Sequence, residues 1–403
     1  MMFSGLEEIG FSRDLYILSE LVNINSQSRN FEAVNFCQRY IGQLFNQLGC
    51  NVQYLQNPER DGADLLIAEY GSSESPIINF ICHSDTVLKY CDNNSFSIKE
   101  GKAFGPGIAD DKAGIVIIYK YFEYAIKQPN FPFRLRMICS PSEEIGSIGW
   151  HNLFQAFGKE ASLNLGFEPA LTNGDIITSR NGNRWYNIIV KGKAAHAGRF
   201  NEPCINASHE LSLMIFNFHS MNDYSNKIKV NVGSFGGGSG HFNIVCGEAW
   251  AKLDVRFPCF DTRDSLHQRI IEVIHQKHTS CFLTKECATC FWSLEDDCPP
   301  LPYNNLGESL IKSYLDTCSI LEDRTVAHQH SGGAADINYF TTKSNINIDG
   351  LGAVGAGLHT KEEFIEISTL ETRFFSLKSL IQKHTENLYS IAQNEQFYGG
   401  DNL

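Results

Sequence analysis

Residues 76–82 form a near-continuous apolar run with β-branched members, the pattern of a strand covered on both faces. Residues 134–140 alternate into a second strand, and residues 163–167 read as a third. Each stops at side chains able to hold a cation: His83 and Asp85 follow the first, Glu143 and Glu144 the second, Glu168 the third. Residues 114–127, rich in Ile, Val and aromatics, suit a buried helix between two of them. Strands alternating with helices imply an α/β sheet, and in such sheets ligands gather beyond the carboxyl ends of the strands.

A chain of 403 residues is long enough for two or three domains. Its first segment, about 14–56, reads helical, through 14–22 and then 31–48, where Leu44, Phe45 and Leu48 share a face. Residues 64–70 suit a strand. From about 182 the texture changes. Residues 184–190, 230–233 and 249–256 alternate as strands, and 206–218 and 264–278 suit helices. The order βαββα predicts a small inserted α+β domain over 182–294. After about 295 the α/β pattern returns, with a helix over 306–318, a strand over 346–348 and a long helix over 368–393. The expected division is therefore a discontinuous α/β domain, 1–181 with 295–403, around the insert.

Formal net charge is −13 and no basic run offsets it, so phosphate backbones repel this chain and nucleic acid is set aside. The first residues lack the basic segment and apolar core of a leader peptide, and no stretch reaches the roughly 18 apolar residues of a membrane span. Cytoplasm is the expected compartment, with no membrane partner. The 13 cysteines are scattered through expected strands and helices, which favours buried free thiols over disulfides. Cys287 and Cys290 form a lone C-x-x-C, short of the four ligands a structural zinc needs.

Two further segments add ligands. Gly105-Pro106-Gly107-Ile108-Ala109-Asp110-Asp111-Lys112 sets paired aspartates in a glycine-rich loop before a helix, and Gly357-Leu358-His359-Thr360 sets a histidine in a short loop. Glycine-rich loops also cradle phosphate, but adjacent carboxylates repel it and no Walker signature is present. Each piece alone has an ordinary reading: a hydrogen-bonded histidine, acids at a solvated helix N-terminus, or a tight bend around His196 in Lys193-Ala194-Ala195-His196-Ala197-Gly198. Together the five segments offer the ligand set of a hydrolase whose two cations share one carboxylate. His83 and Asp85 lie on one side of an extended backbone, so one can ligate while the other orients it. Adjacent Glu143 and Glu144 can divide ligation from proton transfer.

In combination these motifs resemble the two-zinc metallohydrolase family of acetylornithine deacetylase, succinyl-diaminopimelate desuccinylase, aminoacylase and glutamate carboxypeptidase. The resemblance runs over about residues 15–380. His83-Ser84-Asp85-Thr86-Val87 is similar to H-x-D-T-V, and the Gly105 loop to the G-P-G-x-x-D-D-K of the glutamate carboxypeptidase branch. Ser142-Glu143-Glu144-Ile145-Gly146-Ser147 is similar to E-E-x-G-S, residues 192–198 to G-K-x-x-H-A-G, and Ser331-Gly332-Gly333-Ala334-Ala335-Asp336 to S/T-G-G-x-x-D. It implies a zinc-peptidase-like catalytic domain with a mixed central sheet flanked by helices, and a ferredoxin-like insert serving as lid and dimerisation domain. It implies His83 and Glu168 on one metal, Glu144 and His359 on the other, and Asp110 bridging. Asp85 would orient His83, Glu143 would be the general base, and the Asp110–Asp111 bond would be cis. His196 would polarise the scissile carbonyl, in dimeric members from the partner chain. Asn243, Arg256, His330, Gly332 and Gly333 would contact substrate. His330 stands where glutamate carboxypeptidase has an arginine, a weaker and pH-dependent partner for a carboxylate. Cys246 replaces the usual proline after Asn243-Ile244-Val245.

The expectation is a hydrolase for a peptide or N-acyl amide bond in a small carboxylate-bearing substrate. Water between two divalent ions would lose its proton to Glu143 near neutral pH. The metal is expected to be zinc, with cobalt or manganese accepted by availability. The rivals are an N-acyl amino acid deacetylase or desuccinylase with the same metals, and a metal-binding relative without catalysis.

Overall fold

Three parallel strands at the centre of a mixed sheet carry three of the five ligand-bearing segments at their carboxyl ends. The structure, a computed structural model, describes residues 12–58, 62–89, 95–342 and 345–398, with side chains as far as 390. The first eleven residues, on which the leader expectation rests, and Cys91 lie outside the described residues. The chain divides into two compact units. Met1–Thr178, Tyr303–His330 and Ala335–Leu403 form one, and Ser179–Pro302 with Ser331–Ala334 the other. Among the described residues no helix is long and apolar enough to cross a membrane.

In chain order the elements are α1 (Arg13–Asn23), α2 (Phe31–Gln47), β1 (Asn51–Leu55), β2 (Leu65–Tyr70), β3 (Ile77–His83), β4 (Ser97–Lys99), β5 (Lys102–Phe104) and α3 (Ala113–Ile126). Then come β6 (Arg134–Ser140), α4 (His151–Glu160), β7 (Ala161–Gly166) and β8 (Ile176–Arg180). The insert holds β9 (Gly182–Lys191), α5 (Ala207–His219), β10 (Lys229–Gly237), β11 (Glu248–Phe257), α6 (Phe260–His275) and β12 (Thr289–Cys298). The chain closes with α7 (Glu308–Leu321), β13 (His328–Ser331), β14 (Ile346–Ile348), β15 (Gly355–Ala356), β16 (Phe364–Glu366) and α8 (Thr369–Tyr398).

The main sheet of the first unit has the order β1-β2-β6-β3-β7-β14. β3 runs parallel to both β6 and β7, and β14 runs parallel to β7, while β1 and β2 pair antiparallel. Every residue of β3 after Ile77 is buried, as its unbroken apolar run requires. Helix α3 is apolar nearly all round and is covered nearly all round. One polar line crosses this apolar sheet. Asn79 donates to the Asn164 side-chain carbonyl (2.8 Å), Asn164 to Asn347 (2.8 Å) and Asn347 to Asn345 (3.0 Å). The first three are cross-strand partners on β3, β7 and β14, so each amide satisfies the next.

The reading of 14–56 as helical fails at its end. Gly49 turns left-handed (φ 88°) and stops α2, and residues 51–55 become the edge strand β1. An edge strand exposed at most positions has no alternation to betray it.

In the second unit the antiparallel sheet β10-β11-β9-β12 packs one face against α5 and α6 over a core that includes Tyr186, Leu211, Leu253 and Ile270. Its order is βαββαβ, one strand more than the sequence suggested. β12 is an edge strand, mostly exposed, with a register shift between Leu294 and Asp296 that breaks its period. The twelve described cysteines are free, Cys287 and Cys290 among them.

Candidate metal centre

His83 ends β3, and its ring is fixed from both sides. Nδ1 lies 3.0 Å from the Asp85 carbonyl oxygen, and Nε2 lies 2.8 Å from Asp110 Oδ1. The Asp85 carboxylate is farther from Nδ1, at 3.4 Å, and instead accepts the Glu143 amide at 3.0 Å. Asp85 thus ties the end of β3 to the turn after β6. In that turn Glu143 and Glu144 occupy a single 3-10 turn ended by left-handed Gly146 (φ 93°). Ser147 Oγ, beside the turn, donates to buried Asp336 (2.9 Å) and lies 2.9 Å from Ser140 Oγ. Glu168, just past β7, brings Oε1 to 3.8 Å from His83 Nε2.

Asp110 sits in the turn between β5 and α3. Its backbone (φ −117°, ψ 85°) is not helical, and the Asp110–Asp111 peptide bond is cis. Two glycines make the turn possible. Gly107 is left-handed (φ 67°), and a Cβ there would stand 2.2 Å from Thr86 Cγ2. A Cβ on Gly114 would stand 2.0 Å from Asp111 Oδ1. Asp110 divides its oxygens: Oδ1 meets His83, and Oδ2 lies 3.3 Å from His359 Nε2. That same nitrogen is 3.1 Å from Glu144 Oε2. His359 holds a left-handed backbone (φ 62°) after left-handed Gly357, which swings its ring toward Asp110.

Two clusters result: His83, Glu143 and Glu168 in one, and Asp110, Glu144 and His359 in the other, with ligand atoms in each within 4.8 Å of one another. The Asp110 carboxylate touches both. Glu143 groups with the first cluster, beside the pair that the resemblance implies.

Electrostatics show what the arrangement lacks. Burial disfavours the charged His83, but Asp110 and Asp85 outweigh it and hold its pKa well above the ordinary value. The contacts of His359 to Asp110 and Glu144 raise it to about 10. Burial would raise Asp110, yet His359 and His83 hold it below the carboxylate range. Burial, and then the charge of Glu168, push Glu143 well above that range. Burial does the same to Asp111, whose two oxygens have no hydrogen-bond partner. Carboxylates crowded at a sheet end, competing for imidazole protons, need positive charge. The donors are nitrogen and oxygen without thiolate, which suits hard or borderline divalent cations. The residues present fit a metal pair.

The other expected site residues fall elsewhere. His196 and Asn243 belong to the second unit and come together there: Ala197 donates its amide to the Asn243 carbonyl (2.9 Å), and both side chains are in exposed loop positions. Arg256 does not join them. It pairs with Asn183 at the start of β9, and its Nε is held by Asp254 (2.9 Å). The His196 loop leaves the far end of β9, about 26 Å away along the strand. His330 ends its stretch of the first unit on β13, and Gly332 and Gly333 belong to the second, where Arg180 donates to the Gly333 carbonyl (3.1 Å). Two buried acids went unread as site residues. Asp336 was visible as the last residue of the Ser331–Asp336 motif. Glu363 accepts three amides of the Asp110 turn and had no motif. Burial pushes its carboxyl up to about 7, against the pull of those amides.

Residues 178–279 match the model of the peptidase dimerisation domain of the M20 family. Carboxypeptidase G2 from Pseudomonas sp. (strain RS-16) is 26% identical over 385 residues, covering 90% of this chain and 87% of that protein. Succinyl-diaminopimelate desuccinylase from Legionella pneumophila (strain Lens) is 27% identical over 367 residues, covering 85% and 92%. The crystal structure of aminopeptidase PepT from Bacillus cereus ATCC 10987 superimposes with a TM-score of 0.75 at 22% identity, covering 92% of this chain and 98% of that one. With its mixed-sheet unit holding two clusters of ligating side chains, and an inserted domain of this type, the chain has the fold of the M20 peptidases, with their dimerisation domain as its insert.

Proposed function

We propose that this protein is a two-metal hydrolase of a peptide or N-acyl amide bond in a small carboxylate-bearing substrate. The carrying observation is the divided Asp110 carboxylate, with one oxygen toward His83 and the other toward His359. In this reading His83 and Glu168 hold one cation, Glu144 and His359 the other, and Asp110 is shared. Zinc suits the donors, and cobalt or manganese can replace it. When bound, such a pair polarises the scissile carbonyl and acidifies water.

The chain's own residues supply the rest. Glu143 is the proton carrier. Its amide is pinned by Asp85, and its carboxyl is not among the ligands assigned here. It takes a proton from the attacking water and delivers it to the departing amine nitrogen. Asp85 keeps His83 and Glu143 in register. His196 is the donor for the carbonyl oxygen, and Asn243 beside it contacts the substrate. The second unit forms a homodimer, in line with its match to a dimerisation domain. The protein works in the cytoplasm.

The deciding experiment replaces Glu143 with Gln and measures zinc stoichiometry with turnover on dipeptides and N-acyl amino acids. Two bound zinc ions with turnover lower by about 10²–10⁴-fold support the proposal, the range general acid–base catalysis contributes. Unchanged turnover would overturn it. A second reading, N-acyl deacylase, has support in the likeness to the desuccinylase. Preference for N-succinyl or N-acetyl substrates over dipeptides in the same panel selects it. Two bound zinc ions without hydrolysis of any member would favour a non-catalytic relative.

A further inference from the structure

The Asp110 turn is held from behind by an acid that belongs to neither ligand cluster. Glu363 is 2% exposed. Its Oε1 accepts the amides of Ala109 (2.9 Å) and Asp110 (3.1 Å), and its Oε2 accepts the amide of Gly107 (3.0 Å). Its main-chain carbonyl also accepts the amide of Gly105 (3.3 Å). Four amides of one turn therefore end on one residue about 250 positions away in sequence.

The turn creates this demand. Gly107 is left-handed, and Asp110 and Asp111 leave helical angles, so these N–H groups lie outside any regular ladder. Buried and unpaired, each would carry the full desolvation penalty of a lost hydrogen bond. Converging amides form a concavity suited to an anionic group. A neutral carbonyl has one oxygen, whereas a carboxylate has two and carries charge, so it can hold three amides at once.

The position of Glu363 has a second consequence. It immediately precedes β16. That strand pairs with β5, which leads into the Asp110 turn, and with β15, which leads into the His359 loop. Glu363 is also only four residues after His359. One side chain thus sits where the segments carrying Asp110 and His359 are joined, and it grips the backbone of the first.

We infer that Glu363 is a positioning residue for the metal pair, fixing the Asp110 backbone so that its two oxygens stay divided between the His83 and His359 sides. This rests on the proposed reading of Asp110 as the shared ligand. Without Glu363, the amides of Gly107, Ala109 and Asp110 lose their acceptor, the turn rearranges, and Asp110 no longer serves both clusters. The cation on the His359 side suffers most, because the His359 ring is half-exposed whereas His83 is buried.

The test compares the full-length chain with Glu363→Gln and Glu363→Ala, each stripped of metal and titrated with Zn²⁺ against a chromophoric chelator. The unfolding midpoint of the metal-free protein, and kcat and KM for one hydrolysed amide, are recorded alongside. Gln keeps the shape but offers one acceptor oxygen and sets an NH₂ against a backbone N–H. The expected result is zinc affinity weaker by roughly 10- to 100-fold at one or both sites, with kcat lower by a similar factor. KM stays within about threefold, and excess zinc restores part of kcat. Binding of two zinc ions by a folded variant within about twofold of the unaltered affinity overturns the inference. So does failure of both variants to fold, which would make the role purely structural. If the unaltered chain binds fewer than two zinc ions, the proposed function fails with it. If it binds two and hydrolyses while the variants match it, only the inference about Glu363 falls.

Discussion

Replacement of Arg373 tests how the two long helices after the insert are joined. Arg373, on α8, is fully buried, and the Glu322 side chain just past α7 is 1% exposed. The guanidinium gives Nε to Glu322 Oε1 (2.8 Å), and Nη2 to Glu322 Oε2 (3.1 Å) and to the Gly174 carbonyl (2.7 Å). Removing one partner of a buried, hydrogen-bonded pair costs about 3–5 kcal/mol, because the other charge is stranded without solvent. Here Glu322 keeps Arg324 Nε (3.1 Å) and the Thr372 hydroxyl (2.9 Å), which places Arg373→Met near the lower end, about 3 kcal/mol. For a unit of this size that is a fall of about 6–12 °C in thermal midpoint. The double variant Arg373→Met with Glu322→Leu removes the stranded charge and should recover most of the loss, giving a coupling of about 2 kcal/mol in the cycle. Unfolding is best followed by tryptophan fluorescence, since Trp150 is buried in the first unit while Trp185, Trp250 and Trp292 are half-exposed in the second. Two units can unfold in separate steps, so the transition of the second is the internal control and should not move. A single-variant cost below about 1 kcal/mol, or a cycle without coupling, would refute the reasoning.

Two other perturbations follow from buried polar groups. His384 stacks on Phe133 (5.2 Å between ring centres, 16° between planes), and burial holds its pKa below the ordinary 6.5. A depressed folded value means the unfolded chain takes up the proton first. The stabilisation is complete above pH 6.5 and is lost as pH falls through the folded value. The thermal midpoint of the unaltered chain should therefore fall more steeply below pH 6.5 than that of His384→Gln, and parallel slopes would contradict this. Asn164→Leu removes two side-chain hydrogen bonds and leaves the Asn347 carbonyl oxygen without its donor. The expected loss in urea unfolding is about 2–4 kcal/mol with zinc stoichiometry unchanged, and a loss under about 1 kcal/mol would mean water or a neighbour takes over.

What could be read in the chain, and what could not, divides along one physical line. β3, β6 and β7 were legible because burial on both faces demands apolar side chains at nearly every position, and His83, Glu143 and Glu168 were legible because they break that demand where each strand stops. The Asp110 loop was legible through glycines that only a sharp turn needs. β1 and β12 were not, because an edge strand with mostly exposed side chains carries no periodic signal. The asparagine line across β3, β7 and β14 ran against strand propensity and has meaning only once three distant residues share a register. Glu363 stayed hidden for a related reason, and Asp336, though visible at the end of a motif, gave no sign of its role. A metal ligand announces itself by type and place, but an acid that steadies another residue's backbone is indistinguishable in sequence from a surface acid. Only their surroundings separate the two. A surface acid meets water or a flexible cation, whereas Glu363 meets three amides of one turn and Asp336 meets a serine hydroxyl beside the Glu143 turn. Both lie behind a candidate ligand rather than among the ligands. The Asp110 turn and the segment beside the Glu143 turn are each braced by a buried carboxylate from a later part of the chain, and the closeness of the two clusters depends on those braces as much as on the ligands themselves.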